Sequence, residues 1–299
     1  MLRELVYRSF QYESPTKQSK YKVQSTKLKV QSTKHKAQKI NVSSEYQNIQ
    51  FQIDERVARI TFARPPLNIF NIEMMREISA ALSACTRREI VAIVLAADKD
   101  CRAFSAGVAI EEHVQETIFQ MLDSFHAIFR QLEQIAKPVI AVIDGAALGG
   151  GCEVVAACDI VIASDRSRFG VPEVKLGVFP PVATVLLPRV IGEKRARELI
   201  LTGEIIDAVE AGRLGLCNHV VPGAHLEPKL LEVIAKLREL SGTSLEYARR
   251  AIDLGRGRTL DEALTEQENI YLHELMKTAD ANEGVKAFME KRKPVWRHR

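Results

Sequence analysis

The sequence has few of the features that mark membrane, metal-binding or disulfide-rich proteins. No apolar run approaches the roughly 20 residues that a membrane-spanning helix requires. The five cysteines are odd in number, scattered and never in a Cys-x-x-Cys pair, and the seven histidines lack the spacing of metal ligands. We therefore predict a cytoplasmic protein with reduced thiols, no metal site and no membrane partner.

Positive charge is concentrated at the N-terminus. The 299-residue chain carries a net charge of +4, yet residues 1–40 alone hold ten basic and two acidic side chains. The remaining residues are therefore mildly acidic, with a balance of −4. Aromatic residues make up only 6% of the chain, so the sequence offers no basic, aromatic face beyond the tail. This composition argues against a nucleic-acid partner for the globular part.

The first 46 residues contain a near-repeat, Lys22-Val-Gln-Ser-Thr-Lys27 followed by Lys29-Val-Gln-Ser-Thr-Lys34. Polar residues dominate, and no apolar periodicity offsets the entropy of ordering, so we predict a disordered basic tail over 1–46. Three interpretations stay open. The tail could bind nucleic acid or a membrane surface, act as a presequence for the mitochondrial matrix, or be an extension without function.

Hydrophobic patterning after residue 47 predicts alternating strands and helices. Predicted strands cover 49–53, 57–62, 90–95, 138–143 and 160–163. Predicted helices cover about 72–85 and 112–135, and the pattern from about 192 to 290 is mostly helical. This order favours an α/β protein, with a core over 47–240 and a C-terminal helical segment over 241–299.

Three consecutive glycines, Gly149-Gly150-Gly151, lie between a predicted strand and a short predicted helix. The first N–H groups of a helix have no partner inside it, and the helix dipole favours negative charge there. No Lys-Ser/Thr follows the glycines, which argues against a phosphate loop. Glu153 stands about one turn into the helix, so the pattern suits a carbonyl oxyanion beside a proton-transferring carboxylate. The alternative is a glycine-rich turn with a favourable acid at a helix start.

A second strand leads into glycine at Phe104-Ser105-Ala106-Gly107, and a second acid, Glu173, lies in a later turn. Taken in order, these pieces resemble the enoyl-CoA hydratase/isomerase (crotonase) family from about residue 48 to the C-terminus. The resemblance implies a crotonase-like spiral of repeated ββα units with a C-terminal helical appendage. It also implies an acyl-CoA thioester as substrate.

The resemblance assigns roles at four positions. Glu153 and Glu173 match the two catalytic glutamates of the hydratase branch. The backbone N–H groups of Ala106 and Gly150 match the oxyanion hole that holds the thioester oxygen. No cofactor is implied, because coenzyme A is part of the substrate.

Further substrate-binding residues follow from the resemblance. The segment 64–68 resembles the one that runs along the coenzyme, and 283–294 resembles the C-terminal signature of the family. The implied substrate-binding residues are Pro66, Leu67, Asn68, Phe104, Gly149, Phe179, Pro180, Phe288 and Lys291. The family assembles through its C-terminal helices, so a homotrimer or hexamer is expected, with coenzyme and oligomer contacts in 241–299.

The chain departs from the usual family pattern at two places. Ala109 stands where an Asp is usual, and Pro180-Pro181-Val182-Ala183 replaces a glycine-rich run. In these features the chain looks most like cyclohexa-1,5-diene-1-carbonyl-CoA hydratases, which serve aromatic degradation. We expect a lyase that adds water to, or removes it from, an α,β-unsaturated acyl-CoA. The alternatives are a Δ3,Δ2-enoyl-CoA isomerase, a general hydratase of fatty acid β-oxidation, and, from another class, an RNA-associated crotonase-like protein.

Overall fold

The computed structural model describes a short strand at Ile40–Asn41 and residues 46–298. Most of the predicted tail over 1–46 therefore lies outside the described residues. Within the described part of the chain, no helix combines the length and apolar character needed to cross a bilayer.

The strands form two sheets. In chain order the strands are β1 (Ile40–Asn41), β2 (Ile49–Asp54), β3 (Val57–Phe62), β4 (Ala92–Ala97), β5 (Ala103–Ser105), β6 (Val139–Ile143), β7 (Ala146–Leu148), β8 (Ile160–Ser164), β9 (Arg168–Gly170), β10 (Ile205–Asp207) and β11 (His219–Val221). The larger sheet has the order β1-β2-β3-β4-β6-β8-β11, and the smaller one has the order β10-β9-β7-β5. The larger sheet is parallel from β3 to β11, and β2 and β3 form an antiparallel hairpin.

The helices surround these sheets and dominate the C-terminal part. They are α1 (Ile72–Ala84), α2 (Ile118–Ile135), α3 (Gly150–Ala156), α4 (Ala183–Ile191), α5 (Glu193–Thr202), α6 (Ala208–Leu214), α7 (Leu226–Arg238), α8 (Gly242–Leu254), α9 (Leu260–His273) and α10 (Ala279–Met289). Side-chain caps fix several starts: Asn71 accepts from Met74 N–H, and Thr259 forms a capping box with Glu262.

The larger sheet is buried on both faces. Every residue of β4 except its last is buried, as expected for a central parallel strand covered by helices. Successive residues of β4 point to opposite faces, so Ile93 and Leu95 join the main core while Val94 joins a second cluster. That second cluster is completed by Leu230 and Val233 of α7. The main core brings the sheet together with α1 and α2.

The predicted hairpin and most predicted elements are present, with shifted boundaries. The helix predicted from residue 112 begins at Ile118. Residues Ile110–Glu112 instead form one 3₁₀ turn, and the Glu112 carboxylate accepts the Ile72 N–H at the start of α1. The mostly helical part from 192 to 290 also contains β10 and β11, which periodicity did not indicate.

The C-terminal residues return to the start of α8. The Asp280 carboxylate is 1% exposed and accepts hydrogen bonds from the Ser241 hydroxyl (2.6 Å), Arg297 N–H (2.7 Å) and His298 N–H (3.0 Å). The His298 ring in turn accepts the Gly242 N–H at 3.1 Å. These bonds tie the chain end to α8 and α10.

Candidate active site

The smaller sheet delivers the glycine run to the centre of the molecule. The carboxyl end of β7 leads through Gly149, whose φ is +52°, directly into α3. Gly150 is the first residue of α3, so its N–H has no acceptor within the helix. A β-carbon at Gly150 would lie 2.9 Å from both the Phe125 ring and Val108 Cγ2. The start of α3 therefore packs directly against the strand exit at 105–108.

The amide predicted for the oxyanion hole at Ala106 is already engaged. Its N–H donates to the Leu67 carbonyl at 3.0 Å. Three residues later, Ala109 N–H donates to the Phe70 carbonyl at 2.9 Å. Between them, the Val108 N–H has no hydrogen-bond partner among the described residues. The free donor on this segment thus lies at Val108, two positions beyond the predicted one.

The direction of the Val108 N–H follows from the peptide bond that carries it. In a trans peptide the C=O and N–H groups point in opposite directions. The Gly107 carbonyl accepts the Phe70 N–H at 2.8 Å, so the Val108 N–H points away from the segment that holds Phe70. Gly107 itself lies against the glycine run, because a β-carbon there would be 3.6 Å from Gly150 N. Two backbone donors without partners among the described residues, at Val108 and Gly150, therefore lie close together.

Glu153 is buried at the first turn of α3. Its side chain is 2% exposed, and its Oε1 accepts the Ala183 N–H at 2.7 Å. Burial raises the pKa of Glu153 to about 7, because the ionised carboxylate loses hydration. The neighbouring charge of Glu173 raises this pKa further, whereas backbone hydrogen bonds from Ala183 and Val182 oppose the rise.

Glu173 faces the same glycines from the 3₁₀ turn Pro172–Leu176. A β-carbon at Gly149 would lie 2.7 Å from Glu173 Oε1, so the absence of a side chain there leaves room for the carboxyl group. Glu173 Oε2 is buried and has no partner among the described residues. Burial raises the pKa of Glu173, with an opposing contribution from the nearby His113. The charge of Glu173 thus disfavours ionisation of Glu153, while burial disfavours ionisation of both carboxyl groups.

The thiol next to Glu153 is unsuited to chemistry. Cys152 is 2% exposed, and burial raises its pKa, so the thiolate is disfavoured. All five cysteines are free thiols. The described residues contain no cluster of His, Cys, Asp and Glu that could hold a metal ion.

The structure gathers only part of the predicted substrate-binding set around the glutamates. Gly149 lies against Glu173. Pro180 is buried and lies two residues before Val182, which together with Ala183 donates backbone hydrogen bonds to Glu153. Phe179 is 63% exposed nearby in the chain. Pro66 and Leu67 are exposed on the loop after β3. These positions remain predictions, as do Glu153 and Glu173 as catalytic residues.

Four other predicted residues occupy different settings. Phe104 is fully buried with its ring 5.0 Å from that of Phe62, so its side chain belongs to the core. Asn68 is also fully buried and bonds to the Ala103 carbonyl. Phe288 and Lys291 are exposed at the end of α10, which packs against α8.

This arrangement, with two free amides near two carboxyl groups whose pKa values are raised, defines a class of enzyme site suited to stabilising an enolate and moving protons. Residues 52–299 match the family model for enoyl-CoA hydratase/isomerase, and the chain belongs to that family. The predicted family, crotonase-like fold and enzyme class of the enoyl-CoA hydratase type are thereby confirmed.

Two relatives illustrate the likeness in sequence. A probable enoyl-CoA hydratase of Mycobacterium tuberculosis is 37% identical over 258 residues, covering 85% of this chain and 99% of the relative. A cyclohexa-1,5-dienecarbonyl-CoA hydratase of Thauera aromatica is 36% identical over 248 residues, covering 82% and 95%.

Solved structures agree with the fold. An enoyl-CoA hydratase subunit from Geobacillus kaustophilus has a TM-score of 0.78 at 35% identity, covering 85% of this chain and all of that one. An enoyl-CoA hydratase from Bacillus anthracis has a TM-score of 0.79 at 32% identity, with 85% of this chain covered.

Proposed function

We propose that this chain is a hydratase that adds water to the conjugated double bond of α,β-unsaturated acyl-CoA thioesters, or removes it. The observation that carries the proposal is the pair of glutamates with raised pKa values, Glu153 and Glu173, near the free amides of Gly150 and Val108. Family membership supports the thioester substrate. Two carboxyl groups favour hydration, since it needs one proton removed from water and one delivered to carbon.

The thioester oxygen binds between the N–H groups of Gly150 and Val108. Val108 replaces Ala106 in this role, because the Ala106 N–H is committed to the Leu67 carbonyl. When water adds to the β-carbon, electron density moves through the double bond onto the thioester oxygen. Donors already aimed at that oxygen stabilise the enolate, and losing one such donor typically lowers the rate about 10²–10³-fold.

Glu153 and Glu173 divide the proton transfers. A pKa of about 7 leaves Glu153 partly protonated at neutral pH, and in this scheme one glutamate is protonated and the other ionised when substrate binds. The ionised member takes a proton from water as the hydroxyl bonds to the β-carbon. The protonated member delivers its proton to the α-carbon, so the added atoms sum to one water. No further cofactor enters this scheme.

The acyl group lies against the apolar bend that holds Glu153. Val182 and Ala183 supply the backbone contacts of this carboxyl group, and Pro180 and Pro181 precede them. This rigid wall supports a compact acyl group, with cyclohexa-1,5-diene-1-carbonyl-CoA as a candidate alongside short linear enoyl-CoAs. The Thauera aromatica relative supports that candidate no more strongly than the other relatives support linear substrates, because their identities are alike.

Turnover of a substrate panel tests the proposal. Crotonyl-CoA, longer enoyl-CoAs and cyclohexadienoyl-CoA are followed by loss of the conjugated thioester absorbance, with products identified by mass. We expect a mass gain of one water, abolished in E153Q and E173Q but retained in E268Q, which removes an exposed charge on α9. Migration of a double bond without a mass gain, persisting in E173Q, would instead identify an isomerase.

Assembly as a homotrimer or hexamer accompanies this proposal. It is supported by the exposed apolar side chains on α9 and α10, including Leu260, Tyr271 and Phe288. Light scattering of the purified full chain measures the mass directly. A monomer at micromolar concentration would contradict this part of the proposal without touching the chemistry.

A further inference from the structure

A buried hydroxyl that the proposed chemistry does not use lies next to the two segments that carry the free amides. Ser105 is fully buried at the end of β5. Its hydroxyl donates to the Asn68 carbonyl at 2.7 Å and accepts the Gly107 N–H at 3.1 Å. Both hydrogen-bonding directions of the hydroxyl are therefore in use, and each is satisfied by backbone.

Ser105 also touches the start of α3. A β-carbon at Gly151 would lie 2.6 Å from the Ser105 carbonyl oxygen and 2.8 Å from Ser105 Cβ. Three backbone segments meet at this one residue: the loop at Asn68, the strand exit at Gly107 and the helix start at Gly151. The first two determine where the Val108 amide points, and the third carries the Gly150 amide.

Gly107 needs such a tether because its backbone is not restrained by a side chain. Its φ of +109° belongs to a region that glycine populates readily and other residues avoid. The Phe70 N–H holds the carbonyl of Gly107, and the Ser105 hydroxyl holds its N–H. Fixing both ends of this residue fixes the plane of the next peptide, whose N–H is that of Val108.

We propose that Ser105 is a positioning residue, whose hydroxyl bridges Asn68 and Gly107 to hold the Val108 amide on the thioester oxygen. The inference rests on the proposed function, because it assumes that this oxygen binds at Val108 and Gly150. Ser105 does not act as a nucleophile: its proton is committed to a backbone carbonyl, and no histidine contacts its oxygen among the described residues.

The test compares S105A, S105C and a matched control, S167A. Ser167 is equally buried and also donates to a backbone carbonyl, that of Ile143 at 3.0 Å, but it lies outside the amide-bearing segments. S105A removes the bridge, and we expect kcat to fall about 10-fold, part of the roughly 10²–10³-fold effect of losing an oxyanion donor outright. We expect KM to change less than about twofold, because a misdirected amide mainly weakens transition-state binding.

S105C keeps the side-chain size and a weak donor, and should give an intermediate kcat. If S105A does not fold, S105C is compared with S167A instead. S167A should lower the Tm about as much as S105A while leaving kcat unchanged. If S105A and S167A lose equal stability and equal activity, or if neither Ser105 variant loses activity, the positioning role is wrong.

A spectroscopic measurement separates this inference from the proposed function. Butyryl-CoA labelled with ¹³C at the thioester carbon cannot be hydrated, and its carbonyl stretch moves to lower frequency when amides donate to the oxygen. We expect a full shift on wild type and S167A, and a smaller shift on S105A at saturating ligand. No shift on wild type would overturn the proposed oxyanion hole itself. A full shift on S105A would overturn only the role of Ser105.

Discussion

Replacing Glu153 by Gln should stabilise the protein at alkaline pH while removing its activity. The folded pKa of Glu153, about 7, lies above the ordinary value of 4.5 that it regains on unfolding. Between these two values the folded state holds a proton that the unfolded state releases. Wild-type stability therefore falls as pH rises through this window and levels off above pH 7. A neutral amide at residue 153 escapes this loss.

The magnitude follows from the shift. A rise of about 2.5 pKa units corresponds to about 3.4 kcal/mol at high pH, at 1.36 kcal/mol per unit. At pH 5 only about 0.8 kcal/mol of this penalty has developed, because pH 5 lies just above the unfolded pKa of 4.5. The advantage of E153Q over wild type should thus grow by about 2.5 kcal/mol between pH 5 and pH 8. The Gln oxygen can still accept the Ala183 N–H, so that contact is retained.

The assay is urea unfolding of wild type and E153Q at pH 5 and pH 8, at equal protein concentration. Comparing the two pH values cancels any effect of the substitution that does not depend on pH. E116Q controls for the loss of one negative charge, because Glu116 is exposed and should show no comparable growth.

An advantage of E153Q that stays constant between pH 5 and pH 8 would refute this reasoning. It would mean that Glu153 titrates normally, and therefore that water reaches its carboxyl group in the folded protein. The proposed sharing of a proton between the two glutamates would then lose its physical basis. The outcome does not depend on knowing the substrate.

The remaining predictions concern the two acids, the glycine run and the chain end. E173Q should lower kcat for hydration about 10²–10⁴-fold with little change in KM, measured by loss of enoyl-thioester absorbance. G149A should lower kcat similarly, because its β-carbon would lie 2.7 Å from Glu173 Oε1 at a φ of +52°; unchanged turnover would contradict the placement of that carboxyl group. An ester at residue 108, made by incorporating the α-hydroxy acid of valine, should lower kcat about 10²–10³-fold, whereas the same change at Ala106 should mainly lower the Tm. D280A should destabilise by about 3 kcal/mol in urea unfolding, because several buried donors lose a charged acceptor; a loss below about 1 kcal/mol would show that water replaces it.

Elements with a strong local pattern could be predicted from the sequence. The alternation in 49–53 and 57–62 predicts the hairpin β2–β3, and the structure pairs these strands in register. The periodicity from Ile72 predicts α1, which ends at Ala84 within one residue of the prediction. These elements form because one face of each buries apolar side chains, and this spacing is visible in the sequence itself.

The smaller sheet could not be predicted in the same way. Its strands β5, β7, β9 and β10 have three residues each, too short to show a period of two. They form because neighbouring strands, parallel for β5, β7 and β9 and antiparallel for β10, supply hydrogen-bond partners that lie far apart in sequence. The segments 105–108 and 149–151, which carry the candidate site, follow strands β5 and β7 of this sheet. The geometry of the candidate site was therefore the part of the fold that the sequence predicted least.

The proposed oxyanion donor illustrates the same limit at the level of one peptide. Glycine spacing indicates that a backbone amide is free near Gly107, but it does not say which one. That depends on the segment 67–70, which engages the N–H of Ala106 and the carbonyl of Gly107 and leaves Val108. The sequence shows only that residue 68 is an asparagine, a residue type that tolerates a positive φ. The structure shows that Asn68 is buried with a φ of +49° in the loop that engages Ala106 and Gly107.

The features on which the proposed chemistry depends are also those that cost stability. Two amides without partners among the described residues, and two carboxyl groups whose pKa values are raised by burial, are each unfavourable in a folded protein. They occur within a few residues of the start of α3, where Gly149, Gly150 and Gly151 let β7, the 105–108 segment and the Glu173 turn approach one another. A thioester oxygen would satisfy both amides at once, and water or substrate would complete the hydrogen bonds of Glu173 Oε2. Ligand binding should therefore raise the Tm, and butyryl-CoA should do so more in wild type than in the ester variant at residue 108, because only wild type offers both donors.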